Sequence, residues 1–112
     1  MGISTHILDT ATGRPAAGVP ATLALMTGGD WTTLNTAVTD ADGRCKYLLP
    51  EGRAVQPGVY RVHFATASYY AAQGVKGLYP YVEIVFEIVD AGQHYHIPLL
   101  VTANGYTTYR GS

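Results

Sequence analysis

The sequence predicts an all-β fold: a two-sheet β-sandwich of about eight strands with one short helix. Turn signals recur at short intervals, in "TGRPAAG", "TGGD", "DADGR", "LPEGRAVQPG", "DAGQ" and "ANG". Between them lie short runs rich in Val, Ile, Thr and Tyr, the residues that suit a pleated, half-buried surface. Only "ATASYYAAQG" has helical character. It is short and Ala-rich, offers Thr66 or Ser68 as an N-cap, and stops at Gly74.

The strands follow in order. Ile3–Asp9 opens the chain, and Val19–Thr27 and Trp31–Thr39 lie on either side of "TGGD". Cys45–Leu48 follows the Asp42-Gly43 turn. Val59–Ala65, Val82–Val89, His94–Val101 and Tyr106–Tyr109 complete the set. Alternation assigns their faces. Tyr60, Val62 and Phe64 share one side, with Arg61 and His63 on the other. Val82, Ile84, Phe86 and Ile88 oppose Glu83 and Glu87. Tyr95, Ile97, Leu99 and Val101 form a core face, which leaves His94, His96, Pro98 and Leu100 opposite. Pro98 cannot donate to a ladder, so this strand is expected to be at an edge, bulged or out of register there.

Composition bounds the function. A chain of 112 residues is expected to be a single domain, 1–112. Hydrophobic residues at 47% supply a core, whereas only 13% are charged, which leaves little to cover an isolated monomer and hints at association. Net charge is −1 with no basic tract, which argues against nucleic acid. No apolar run reaches membrane-spanning length. "MGISTHILDT" has neither a basic head nor a long apolar stretch, so no signal peptide is expected, and His6 interrupts a myristoylation pattern. The lone Cys45 excludes an intrachain disulfide and suits a reducing compartment.

Few residues are equipped for chemistry. His94 and His96 form an H-x-H pair about 7 Å apart along one strand face. Zinc needs a third ligand from elsewhere, so the pair alone is a weak metal signal and solvated histidines are the commoner outcome. His6 shares its face with Ser4 and Leu8. Arg44 follows an Asp-Gly turn: it either starts a strand or is held by the turn as a rigid guanidinium. Ser112 has a hydroxyl or a carboxylate to offer a ligand, or it frays.

"STHILDTATGRPAAGVPATL", "TDADGR" and "HYHIPLLVTANGYTTYRGS" together resemble the 5-hydroxyisourate hydrolases of the transthyretin-like family. The resemblance runs from Ser4 to Ser112. It implies a transthyretin-like (prealbumin-like) sandwich. It also implies metal-independent, cofactor-free hydrolysis of a ring amide of 5-hydroxyisourate, giving 2-oxo-4-hydroxy-4-carboxy-5-ureidoimidazoline in urate degradation. By that resemblance the catalytic groups are His6, Arg44 and His96. Substrate binding falls to these and to Tyr109, Arg110, Gly111 and Ser112, while His94 and His63 are not carried over as catalytic. Tyr109 would end the last strand, Gly111 would let the backbone turn and Arg110 would anchor it.

The resemblance further implies a homotetramer, a dimer of dimers, with its active sites at subunit interfaces. A bacterial cytoplasm is the expected compartment, with peroxisome and periplasm left open. The competing expectation is a non-catalytic carrier of a small aromatic ligand. A carrier has no need of His6, Arg44, His96 or a Y-R-G-S ending.

Overall fold

The computed structural model describes residues 2–112. Among them run β1 (Ile3–Asp9), β2 (Arg14–Pro15), β3 (Pro20–Thr27), β4 (Asp30–Val38), β5 (Arg44–Cys45), β6 (Gly58–Phe64), α1 (Thr66–Ala72), β7 (Val82–Ile88), β8 (Tyr95–Thr102) and β9 (Gly105–Thr108). They form two sheets. One has the order β2-β1-β8-β9, with β5 also on β1; the other has the order β4-β3-β6-β7. The sandwich is as expected, with the two-residue β2 added.

Alternation fixes which side of each strand meets the other sheet. Tyr60, Val62 and Phe64 are buried on β6, as are Tyr95, Ile97, Leu99 and Val101 on β8. Ile3 and Ile7 of β1 and Leu23 of β3 close the same cluster. Each such side chain contributes about 1.5–3 kcal/mol of hydrophobic stabilisation. The other face of β1 and β8 is thereby turned outward, and the polar residues gather there.

Pro98 lies inside its sheet, not at an edge or a bulge, because β8 runs between β1 and β9. Odd-numbered β8 residues bond toward β1: the Tyr95 amide donates to the Gly2 carbonyl at 2.8 Å, and the Val101 carbonyl accepts from Thr10. Pro98 therefore turns its nitrogen toward β9, where a missing N–H costs one rung and spares β1. That rung is absent: regular pairing stops at Leu99–Thr108 and resumes only as a bridge between His96 and Gly111, in the same register.

Two further expectations are corrected. Beyond Arg44–Cys45 the expected strand to Leu48 gives way to a turn. Leu48 and Leu49 are both buried, which strict alternation forbids, and the chain bends so that both face inward. Neither Thr66 nor Ser68 caps α1. The N-cap position is Ala65 without a side-chain bond, and the Ser68 hydroxyl instead donates to the Ala65 carbonyl at 3.2 Å. Thr66 is the first helical residue and is buried.

The "DADGR" turn is packed as well as tight. Asp40 Oδ1 accepts the amides of Asp42 and Arg44 at 2.9 and 3.0 Å. Those bonds hold the Asp40 carboxyl below the usual carboxylate range, that of Arg44 first. The Gly43 carbonyl accepts the Ile7 amide at 2.8 Å. Gly43 has φ +74°, and a Cβ there would lie 2.4 Å from the Ile7 carbonyl oxygen. Gly43→Ala is expected to lower stability by at least ~1–2 kcal/mol, the cost of a left-handed L-residue before any clash is counted. Urea unfolding measures it, and an unchanged midpoint would show that the turn is free to move off β1.

Candidate active site

The site is built on the outward face of β1, β5 and β8. Parallel pairing of β1 with β8 sets Ser4 beside His96 and His6 beside Pro98. Antiparallel pairing sets Arg44 of β5 beside His6 on the other flank of β1. Three segments far apart in sequence thus present Arg44, His6 and His96 to one side. Diagonal neighbours on such a face stand roughly 7–8 Å apart.

A cleft of about 340 Å³ opens over this face. Ser4, Arg44, His94, His96 and Ser112 line it, joined by Lys46 and Tyr47 from the turn after β5. Its size falls at the small end of ligand pockets. His6 lies next to this lining, half-buried between Arg44 and Pro98. A larger cleft of about 510 Å³ runs beside α1, but Lys76 is the one charged residue in it, and apolar groups dominate.

His96 is half-buried. Burial holds its imidazole below the ordinary histidine value of 6.5, and the charges of Arg44, His6 and His94 push in the same direction. His96 is therefore neutral at neutral pH, the form that accepts a proton. Its Nδ1 lies 2.8 Å from Ser4 Oγ, and the same oxygen lies 2.8 Å from His94 Nε2.

The C-terminal residues divide. The Gly111 amide donates to the His96 carbonyl at 2.9 Å. A Cβ on Gly111 would lie 2.6 Å from His96 Cδ2, so the close approach requires glycine. Ser112 follows into the cleft. Arg110 turns the other way: its guanidinium sits 4.6 Å over the Tyr95 ring and donates to Gln93 Oε1 at 2.6 Å. Tyr109 is exposed and borders a separate apolar groove with Ile84 and Phe86. The face thus brings together His6, Arg44, His96, Gly111 and Ser112, while Tyr109 and Arg110 stand outside the cleft and Arg110 anchors the tail.

Sequence reasoning gave no site role to Ser4, His94, Lys46 and Tyr47. Alternation already placed Ser4 with His6 and His94 with His96. What it lacked was the parallel register that sets one pair beside the other.

Residues 3–111 match the sequence profile of the HIUase/Transthyretin family. The chain belongs to this family. Among its members, the 5-hydroxyisourate hydrolase of Salmonella typhimurium is 46% identical over 110 residues, covering 98% of this chain and 80% of that one. The structure of Klebsiella pneumoniae 5-hydroxyisourate hydrolase superposes with a TM-score of 0.86 at 36% identity, covering 100% of both chains. Sea bream transthyretin in complex with thyroxine superposes with a TM-score of 0.92 at 34% identity, covering 99% of this chain and 95% of that one. The family's sandwich alone therefore does not separate a hydrolase from a thyroxine-bound transthyretin, and the residues of the cleft must.

Arg44→Gln is expected to raise the His96 pKa toward 6.5 without reaching it, because burial, the larger cause, remains. Titration of the His96 ring protons by NMR reads the shift. An unmoved midpoint would mean that the Arg44 charge does not reach His96.

Proposed function

We infer that this chain hydrolyses 5-hydroxyisourate to 2-oxo-4-hydroxy-4-carboxy-5-ureidoimidazoline. One observation carries the reading: a neutral, half-buried imidazole and a guanidinium line one small polar cleft, with a second histidine beside it, in a chain nearly half identical to named hydrolases. Opening a ring amide needs a base for water, a donor for the growing oxyanion and a proton for the departing nitrogen.

In this scheme His96 takes a proton from water as the water oxygen bonds to the ring carbonyl carbon. Arg44, whose backbone is held by the Asp40 turn, meets the oxygen on which negative charge develops. The C–N bond then breaks, and His6, across the face, supplies or holds the proton that the nitrogen takes. Ser112 orients the ring from the C-terminal side, and Gly111 brings it there. No step calls on a metal or cofactor.

The test is the decay of freshly generated 5-hydroxyisourate, followed by absorbance. The wild-type protein is expected to accelerate it. His96→Asn is expected to lose at least about tenfold in turnover, a conservative share of the 10²–10⁴ that a positioned acid–base group supplies. Wild-type turnover in a folded His96→Asn protein would refute the assignment. A wild type that binds but does not accelerate would leave the carrier reading, the one that resemblance to the thyroxine complex favours.

The assembly follows from the same face. In one chain the cleft is open, with Arg44 and Ser112 exposed. The edge strands β7 and β9 leave backbone groups unpaired and expose Val85 and Tyr106. Such edges are managed in folded proteins by covering or pairing them. A homotetramer, a dimer of dimers, would pair the edges and close clefts at subunit interfaces in symmetry-related sets. Sedimentation is expected to give a mass near four chains, and a monomer at micromolar concentration would sink this arrangement.

A further inference from the structure

We propose that Ser4 and His94 form a proton relay that couples His96 to solvent, with Ser4 as a positioning residue and His94 as the outer exchange group. The proposal deepens the hydrolase reading and rests on it for its role in turnover, but its geometry stands apart from any substrate. A serine hydroxyl has one proton to give. Lying 2.8 Å from His94 Nε2 and 2.8 Å from His96 Nδ1, Ser4 Oγ donates to one of these nitrogens and accepts from the other. The tautomers of the two rings are thereby tied together. When His96 holds its proton on Nδ1, that N–H donates to Ser4 Oγ, Ser4 donates to His94 Nε2, and His96 Nε2 is free to act as base.

The surroundings make this a path and not only a clamp. Ser4 is 8% exposed, so its hydroxyl has little access to water as a substitute partner. His94 is exposed and borders two clefts: the site itself and a neighbouring one of about 390 Å³ lined by Gly2, Leu49 and Arg53. Its Nδ1 faces the Gly2 side and makes no hydrogen bond with the described residues. The titratable and charged groups around the pair are His6 from β1, Arg44 from β5, Lys46 and Tyr47 from the turn after it, the C-terminal carboxylate of Ser112, and Glu51 and Arg53, which line the second cleft with His94. Four of these are basic side chains, and no side-chain carboxylate lines the cleft at His96, where the acidic group is the C-terminal carboxylate of Ser112.

The relay avoids an imidazolium at His96. His96 gains a proton at Nε2 from the attacking water and gives its Nδ1 proton to Ser4 Oγ. Ser4 passes its own proton to His94 Nε2. His94 then releases its Nδ1 proton to the second cleft. His96 ends neutral in its other tautomer, Ser4 is unchanged, and one proton has moved from the site to solvent. The reverse sequence resets the chain.

The test pairs Ser4→Ala and His94→Gln with two readouts. In the wild-type protein, ¹⁵N NMR of the imidazoles is expected to show complementary tautomers at His94 and His96, and Ser4→Ala is expected to abolish that complementarity. In steady-state assays both variants are expected to lose about tenfold in kcat with KM within about twofold, less than a direct acid–base group would cost. Added imidazole buffer is expected to restore His94→Gln and to leave the wild type unchanged. Unlinked tautomers in the wild type, or variants with wild-type kcat in an active enzyme at all buffer concentrations, would overturn the relay. Linked tautomers in a protein that does not hydrolyse 5-hydroxyisourate would keep the coupling and remove the reaction assigned to it.

Discussion

The parallel pairing of β1 with β8 is the constraint on which the site depends. A side chain in a strand has two directions available, and the buried set chooses for all of its neighbours. Ile3 and Ile7 go inward with Tyr95, Ile97, Leu99 and Val101. Ser4 and His6 are then forced outward beside His96 and Pro98. A slip of one residue in this pairing would expose the aliphatic row and bury the histidines, so hydrophobic burial enforces the chemical register. The short β5 extends the same logic to a third segment: Thr5 pairs with Cys45, and the adjacent rung brings Arg44 to His6.

Much of this was legible from the residues. The alternation in "VYRVHFA", "YVEIVFEIV" and "HYHIPLLV" assigned core and outer faces correctly, because burial at period two leaves a strong imprint. The strand limits at Ile3–Asp9 were read without error. What escaped depended on relations between distant segments. Nothing local in "STHILD" says that its neighbour is parallel and aligned at His96, so the shared hydroxyl between His94 and His96 could not be seen. Pro98 was troubling only while the direction of each rung was unknown. The helix start was missed for another reason: α1 begins without a side-chain cap, held by packing, with Tyr69 donating to Asp9 at 2.8 Å and Tyr70 donating to the Thr102 carbonyl at 2.7 Å.

Fold and function separate cleanly here. The sandwich superposes on a thyroxine-bound transthyretin at least as well as on a hydrolase. The framework residues thus serve two different uses of one architecture. The outward positions of β1, β5 and β8 carry the polar side chains at the cleft, and these take no part in the core. Burial then acts on those side chains electrically: it keeps His96 neutral among cations that already discourage its protonation.

Pro98 has a consequence beyond its own rung. By leaving Tyr109 and Arg110 out of the ladder, it makes the seat of Ser112 depend on contacts other than regular sheet pairing. The Gly111 amide on His96, the Arg110 bond to Gln93 and the Arg110 cation over Tyr95 fasten the last residues. The segment is fastened like a latch on a doorframe, by a few contacts outside the regular ladder, and segments held in that way open at less than the cost of global unfolding.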